Sequence, residues 1–250
     1  MKIYKAKDKK EIEELFNGWQ ETMIYSCLQG YMGEAYATDD HKSAMIIIAD
    51  FCFMAGKPSQ HLLESLNVKN FMILVPQNER WNSVVETVYP QSVKRIRYAT
   101  RKDINHFDVS ILKQNVSKLL PCYSLKVIDE SIYHQILDED WSSDLCGQFA
   151  TYQEYLKNGI GFVIMENQEI VAGVSSYTVY KDGLEIEIDT RKDKRRQGLA
   201  RVCASQMILE CLSKNLYPSW DAHNEGSLKL AESLGYVFDK TYFVYEVIEN

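Results

Sequence analysis

The sequence feature that most constrains the fold is a basic, glycine-containing turn that follows an alternating strand pattern. The strand pattern covers residues 184–188, and the later turn reads Arg195-Arg196-Gln197-Gly198-Leu199-Ala200. A strand that enters a helix through such a turn presents successive backbone N–H groups at the positive end of the helix dipole. Gly198 lets a ligand approach the main chain, and small Ala200 keeps the first helical turn uncrowded. The turn therefore predicts an anion site suited to a pyrophosphate.

A second motif lies downstream, near the end of the sequence. It begins Asn224-Glu225-Gly226-Ser227 and ends Leu230-Ala231-Glu232-Ser233-Leu234-Gly235-Tyr236. Together with the spacing Arg195-x-x-Gly198-x-Ala200, it resembles the two acetyl-CoA motifs of the GNAT acetyltransferase superfamily. Two motifs in this order and at this separation favour that interpretation over a chance basic helix terminus on the surface.

The order of elements after Pro121 supports the same resemblance. Hydrophobic periodicity and turn residues predict strands over residues 123–128, 161–165, 170–180, 184–190 and 218–221, helices over 129–140, 145–157, 199–214 and 224–234, and a closing hairpin over 236–238 and 242–247. This order, β-α-α-β-β-β-α-β-α-β-β, is similar to that of a GNAT domain. The expected fold class is α/β (α+β): a C-terminal GNAT fold with a mixed, mostly antiparallel central sheet flanked by helices, plus a smaller α/β N-terminal domain.

Pro121 follows a helix-like segment and predicts a domain boundary. We therefore expect an N-terminal α/β accessory domain at residues 1–120 and a GNAT N-acetyltransferase domain at residues 121–250. In the first, the apolar spacing predicts one helix over residues 9–29. The sequence shows no internal repeat. An accessory domain of this length, with the tracts at 187–190 and 217–224, resembles the Firmicutes GNAT group that contains zwittermicin-resistance-type acetyltransferases.

The resemblance implies acetyl-CoA as cosubstrate and suggests which residues hold it. Backbone N–H groups of the turn would bind the pyrophosphate, with charge added by two arginines; the residues are Arg195, Arg196, Gln197, Gly198, Leu199 and Ala200. Main-chain groups near Ile188 and Thr190 would pair with the pantetheine arm, in a wedge between the strands at 184–190 and 218–221. Asn224 would bond the amide arm or serve as a plain helix cap, and Ser227 is a further expected cofactor contact.

The proton acceptor is sought on the strand before the turn. Glu185, Glu187 and Asp189 alternate, so all three project from one face of that strand. A carboxylate beside a dry slot has a raised pKa, as a general base requires, whereas carboxylates facing water are merely solvated. Both interpretations stay open, and Glu185 and Glu187 are the predicted catalytic residues, ahead of Asp189.

The sequence departs from the family pattern at the group that protonates the leaving thiolate. Many GNAT enzymes have a tyrosine four residues before the glycine of the Leu-Gly-Tyr ending, and here that position is Ala231. His223, Ser227 and Tyr236 lie nearby, but each is better explained as structural. A thiolate of low pKa also leaves without an acid, so transfer remains chemically feasible.

Charge and cysteine content restrict the partners. The net charge is −7, which argues against nucleic acid. Residues 121–250 carry a net −9, a field that favours a cationic acceptor such as an amine, or that only keeps the surface soluble. No apolar run approaches the ~20 residues of a membrane span. Six scattered cysteines and five isolated histidines predict reduced thiols, no metal site and a cytoplasmic location.

These features lead to three hypotheses for the function. The first is an N-acetyltransferase that moves acetyl from acetyl-CoA directly to a primary amine of a small molecule, such as an antibiotic or a metabolite. The second is a catalytically weak acyl-CoA-binding module, and the third is a protein N-acetyltransferase. The oligomeric state, monomer or homodimer, stays open.

Overall fold

The structure, a computed structural model, describes residues 2–248 and divides into two compact units. The first unit comprises residues 2–97 together with 241–248, and the second comprises Tyr98–Lys240. Two strands, Val93–Thr100 and Phe238–Ile248, each run from one unit into the other. The second unit is therefore inserted, in the order of the chain, between two parts of the first.

The first unit is built on one mixed sheet. Its strands are β1 Ile3–Lys5, β2 Glu34–Thr38, β3 Ser43–Ile48, β4 Phe51–Gly56, β5 Phe71–Pro76 and β6 Val93–Thr100, and its helices are α1 Lys10–Glu13, α2 Thr22–Leu28, α3 Gln60–Glu64 and α4 Arg80–Val88. The sheet order is β1-β2-β3-β4-β5-β13-β6, where β13 is Phe238–Ile248. Buried Trp81, Leu62 and Met54 belong to its apolar core.

The second unit follows the same plan. Its helices are α5 Val109–Ser117, α6 Glu130–Leu137, α7 Tyr152–Asn158, α8 Leu199–Ser213 and α9 Glu225–Glu232, and its strands are β7 Ser124–Val127, β8 Gly161–Glu166, β9 Glu169–Tyr180, β10 Gly183–Thr190, β11 Tyr217–Ser219 and β12 Asp221–Ala222, followed by the start of β13. The five-stranded sheet has the order β11-β10-β9-β8-β7. The expected fold class, with mostly antiparallel sheets flanked by helices, is confirmed.

The two units share an element order and a pairing pattern. In the first, β1 to β4 pair antiparallel in succession, and β4 then pairs parallel with β5. In the second, β7 to β10 pair antiparallel in succession, and β10 then pairs parallel with β11. Each unit places two helices after its first strand and one helix between its parallel strands. The repeat is therefore one of element order and strand pairing, and the sequence pattern did not predict it.

The division of the chain differs from the predicted boundary at Pro121. Residues 98–120, expected in the N-terminal domain, belong to the second unit. Asn115 on α5 donates a buried hydrogen bond to Ser205 Oγ on α8 (3.1 Å), and Tyr217 donates to the Arg101 carbonyl (2.8 Å). The end of the chain belongs to the first unit, because residues Tyr245 to Ile248 of β13 pair antiparallel with β5. Pro121 lies in a turn within the second unit, which begins at Tyr98.

Three predicted elements are broken or merged in the structure. The helix expected over residues 9–29 is two helices and a 3₁₀ turn, Glu14–Phe16, because Gly18 adopts a left-handed conformation (φ 78°). The helix expected over 145–157 is a 3₁₀ turn, Ser143–Leu145, followed by α7, which starts anew where Thr151 accepts from the Glu154 N–H (3.2 Å). The closing hairpin is instead the single strand β13.

Within residues 2–248, no helix is long and apolar enough to cross a bilayer, and no group of three histidine, cysteine or acidic side chains is arranged to hold a metal ion. All six cysteines are free thiols, and five of them are buried.

Candidate active site

The parallel strands β10 and β11 diverge at the centre of the second unit. Their register joins Gly183 to Tyr217 and Glu185 to Ser219. Beyond Glu185, β10 continues alongside β9 to Thr190, while the chain after Ser219 turns into β12, which pairs with β6. This divergence lies between the two strands for which the family resemblance implies a wedge. We call the space between the end of β10 and the β11–β12 segment the wedge.

Trp220 lies at the point where the chain leaves β11 for β12. Its carbonyl accepts a hydrogen bond from Thr100 Oγ1 (2.7 Å), and its indole Nε1 donates to Ser227 Oγ on α9 (3.0 Å). Its ring meets Tyr236 edge-on, with centroids 5.4 Å apart. Tyr236 in turn donates to the Pro218 carbonyl (2.6 Å). These buried contacts fix the direction in which the chain departs, and so they hold the wedge open.

Glu185 sits at the apex of the wedge. Its side chain is only 5% exposed, and its Oε1 accepts a hydrogen bond from the Asp221 backbone N–H (2.8 Å). The carboxylate therefore bridges β10 to the first residue of β12. A buried carboxylate that satisfies a backbone donor is expensive to remove, because the donor is left without its partner. Through this contact Glu185 positions β12 relative to β10, a role in addition to the catalytic role predicted from the sequence.

Glu185, Glu187 and Asp189 share one face of β10, which we call the acidic face. The 3₁₀ turn Ser143–Leu145 covers its far end. Asp189 pairs directly with Gly173 of β9, and a Cβ at Gly173 would lie 2.5 Å from Leu145 Cδ1. Side chains of directly paired residues project to the same side of a sheet. Leu145 therefore packs over the pair, and this brings neighbouring Asp144 to the Asp189 side.

Asp189 lies in an environment that disfavours its charged form. Burial, together with the negative charge of Asp144, raises the pKa of Asp189 to about 6, against an opposing effect of Arg195. Glu187 is half-buried on the same face, one alternation closer to the apex. A carboxyl with a pKa near 6 is close to the range where a general base works at neutral pH. The prediction from sequence placed Asp189 behind Glu185 and Glu187, because the sequence does not show that Asp144 lies near Asp189.

The predicted turn has the backbone geometry of an anion cradle. Arg196 and Gly198 both adopt left-handed conformations (φ 63° and 82°), and α8 begins at Leu199. Among residues 2–248, no side chain caps this helix, and a Cβ added to Gly198 would meet no atom within 4 Å. The first N–H groups of α8 are thus without a capping side chain at the positive end of the helix dipole, and the space beside Gly198 is open. This backbone fits a pyrophosphate.

Side chains around the turn hold its shape. Arg195 Nε donates to the Thr190 carbonyl (3.1 Å), and Tyr123 donates to Gln197 Oε1 (2.9 Å). Arg191 is engaged by Glu169 and Asp193, each at 2.8 Å. Tyr123 was not predicted from the sequence, because no spacing connects it with a turn 74 residues away. The guanidinium groups of Arg195 and Arg196 are exposed, as a role in phosphate binding requires.

The other predicted cofactor residues lie on two elements. Ile188 and Thr190 are half-buried at the end of β10, and within residues 2–248 the buried Thr190 Oγ1 has no hydrogen-bond partner. Asn224 caps α9, since its Oδ1 accepts from the Ser227 N–H (2.9 Å), and its Nδ2 lies 2.7 Å from His223 Nε2. The cap predicted from the sequence is therefore present, and Ser227 Oγ accepts a hydrogen bond from Trp220 Nε1.

The position of the usual thiolate acid holds Ala231, which is fully buried. Tyr236, the nearest tyrosine in sequence, is also buried and donates to the Pro218 carbonyl. Burial raises the pKa of Tyr236 well above its ordinary value. Neither residue supplies a mobile phenol proton to the wedge.

The corresponding turn of the first unit is closed. Between β4 and α3, Ser59 Oγ caps the helix by accepting from the Leu62 N–H (3.2 Å). The Gly56 N–H donates to Gln77 Oε1 (3.0 Å), and Pro58 has no N–H. The start of α3 is thus capped by a side chain, unlike the start of α8, and α3 has only five residues.

Comparisons with known proteins agree with this geometry. The family model described as GNAT acetyltransferase matches residues 13–245. The crystal structure of a GCN5-related N-acetyltransferase-like protein from Streptococcus suis is 44% identical, with a TM-score of 0.91 over 96% of this chain and 98% of that one. The uncharacterized N-acetyltransferase YdfB of Bacillus subtilis is 25% identical over 90% of this chain and 89% of its own length.

A tandem GNAT protein from the clavulanic acid biosynthesis pathway shares the fold, with a TM-score of 0.57, 7% identity and coverage of 99% and 98%. The family match spans most of the chain, includes the Gly198 turn, the wedge and α9, and agrees with the relative from Streptococcus suis. The chain therefore belongs to the GNAT acetyltransferase family, acyltransferases that use acetyl-CoA as cosubstrate.

Proposed function

We infer that the second unit transfers the acetyl group of acetyl-CoA to a primary amine of a small molecule. The observation that carries this proposal is the uncapped helix start at Gly198, next to a wedge between β10 and the β11–β12 segment. The first supplies donors for a pyrophosphate and the second supplies a slot for a slender arm. The first unit, whose equivalent turn is closed by Ser59, would be a second copy of the fold without transfer activity.

In this proposal the cofactor lies along the wedge from the turn toward Glu185. The N–H groups of residues 196–200 hold the pyrophosphate, and Arg195 and Arg196 add positive charge. Main-chain groups of Ile188 and Thr190 hold the pantetheine arm, and Asn224 and Ser227 contact it from α9. The open space over Gly198 and the orphaned Thr190 hydroxyl support this arrangement.

A carboxylate of the acidic face accepts the proton that the amine loses. Acetyl transfer requires a neutral amine, so a group must accept a proton from the incoming ammonium. We assign this role to Asp189, because its pKa lies near 6 and its side chain is half-buried. Glu187 is the next candidate on the same face. Glu185, already an acceptor for Asp221 N–H, orients the strands and leaves the transfer to its neighbours.

The acceptor class follows from charge. Asp189 and Asp144 place two carboxyl groups near each other, which favours a cationic amine over a neutral or anionic acceptor. We propose a small-molecule amine of the kind acetylated by zwittermicin-resistance-type enzymes, since the sequence tracts at 187–190 and 217–224 resemble that group. The buried Ala231 and the occupied Tyr236 favour one alternative, a weakly active acyl-CoA-binding module.

The test is release of free CoA thiol from acetyl-CoA over a panel of amines, with matched alcohols as controls. We expect release with cationic amines and none with alcohols. Acetyl-CoA alone should raise the melting temperature in the same preparation. Stabilisation without release over the whole panel would favour the binding module, and no stabilisation at saturating acetyl-CoA would overturn the proposal.

A further inference from the structure

The first unit contains an open groove beside the break in its predicted N-terminal helix. It has a volume of about 550 Å³ and is lined by α1, the 3₁₀ turn Glu14–Phe16, the following Asn17-Gly18 bend and α2. Gly18, which follows the 3₁₀ turn, has a left-handed backbone conformation. A Cβ added at Gly18 would lie within 4 Å of no atom of the described residues, so the groove is open at this point. Small-molecule sites have volumes in this range.

Aromatic rings form the wall of the groove. Phe16 stacks on Trp19 with centroids 6.2 Å apart and planes 14° from parallel. Phe53 meets Trp19 edge-on at 5.7 Å. Trp19 is thus held between two rings while it remains half-buried at the groove, and Tyr25 lines the groove from α2. Fixed aromatic faces attract cations through their quadrupole.

The rim of the groove is predominantly acidic. Glu13 and Glu14 line it as exposed carboxylates, and Lys10 is the cation among the lining residues that the structure describes. A further carboxylate, Glu21, lies close enough to add to the burial effect that raises the pKa of Tyr25. Aromatic walls with an excess of carboxylates match a positively charged organic group and disfavour an anion such as a phosphate.

This groove is built on the same elements as the acidic side of the second unit, but without its reactive groups. The turn Glu14–Phe16 covers β4 as Ser143–Leu145 covers β10: a Cβ at Gly56 would lie 3.1 Å from Leu15 Cδ2. β4 reads Phe-Cys-Phe-Met-Ala-Gly and has no carboxylate, whereas β10 has three. The adjacent helix start is closed by Ser59.

We propose that this groove binds a small organic cation, an alkylammonium or quaternary ammonium group, as a ligand that is not acetylated there. Trp19 and Tyr25 contact the cation, and Glu13 and Glu14 attract it. The groove lies in the first unit, so the proposed cation binding does not depend on acetyl transfer by the second unit and can be tested separately.

The test uses choline as probe and 3,3-dimethylbutan-1-ol as its uncharged isostere, with binding followed by calorimetric titration of the full-length protein. We expect choline to bind at least tenfold more tightly than the isostere. Trp19→Leu, Glu13→Gln and Glu14→Gln should each weaken choline binding about three- to fivefold, and Lys10→Gln should strengthen it. Equal binding of choline and the isostere would overturn the proposal.

Two controls distinguish binding in the groove from binding elsewhere on the protein and from a loss of folding. Asp189→Asn, in the second unit, should leave choline affinity unchanged; a loss there would assign the probe to the acidic face and overturn the proposal. Glu13→Gln and Glu14→Gln alter exposed side chains and should retain the wild-type melting temperature, so a loss of affinity in them reports on binding. Unchanged affinity in both of these variants would also refute the site.

Discussion

The Glu185 carboxylate accepts a 2.8 Å hydrogen bond from the backbone N–H of Asp221 across the apex of the wedge. This contact joins the last residue of β10 that pairs with β11 to the first residue of β12. Glu185, one of the predicted catalytic residues, therefore links two strands. Substitutions can distinguish this structural role from a role as general base.

For Glu185, we expect Glu185→Gln to retain the bridge, because an amide oxygen accepts as a carboxylate does, and to keep most of kcat. Glu185→Ala should lower the free energy of unfolding by about 1–3 kcal/mol, because the buried Asp221 N–H loses its partner. Urea unfolding and steady-state kinetics measure both. A stable Glu185→Gln variant with kcat reduced a hundredfold or more would instead make Glu185 the base.

For Asp189, we expect kcat/KM to rise with pH through about 6, since the base acts only when deprotonated. Asp144→Asn removes a negative neighbour, lowers the pKa of Asp189 and shifts this limb to lower pH. Asp189→Asn should lower kcat by about 10²–10⁴-fold, without weakening the binding of acetyl-CoA. Glu187→Gln is the matched comparison, and a larger kcat loss there than in Asp189→Asn would transfer the role to Glu187.

The same carboxyl links stability to pH. Its pKa is raised in the folded protein, so between about pH 4 and 6 the folded state holds more protons than the unfolded chain. Its contribution to the free energy of unfolding therefore falls as pH rises. Asp189→Asn should be more stable than wild type at pH 7, by on the order of 1 kcal/mol for a partly solvated group, and equal to it below pH 4. A difference that is independent of pH would contradict the assignment.

For the turn, Gly198→Asp should abolish stabilisation by acetyl-CoA, because the new carboxylate fills and charges the cradle. Gly30 offers a matched control: it has a similar φ (79°) and no atom within 4 Å of an added Cβ among residues 2–248. Both glycine-to-aspartate variants should lose about 1 kcal/mol of stability from backbone strain. Only the Gly198 variant should lose the thermal shift, and retention of the shift would refute the cradle.

The second unit was largely predictable from sequence, because its strands and helices carry local signals. The alternation at β10, the cap at Asn224 and the glycine of the turn each specify backbone geometry within a few residues. The wedge was expected from the resemblance, and the pairing of β10 with β11 agrees with it.

Long-range relationships were not predictable. Asp144 and Asp189 are far apart in sequence, and no pattern in either segment indicates that their charges interact. The division of the structure into units differs from the predicted boundary at Pro121 for a similar reason: Asn115 and Ser205, which join α5 to α8, are 90 residues apart in sequence. The duplicated element order was not predictable either, because strands of different sequence can pair in the same order and direction.

The return of β13 to the first unit has a consequence for how this protein is made. Residues Tyr245 to Ile248 pair with β5, so the first unit needs a strand that follows the whole second unit in the chain. The second unit, Tyr98–Lys240, is contiguous and leaves the ribosome before that strand. The pairing partner of this part of β5 therefore becomes available only after the whole second unit has been synthesised, and a truncation before Tyr245 removes a strand from the first unit rather than from the second.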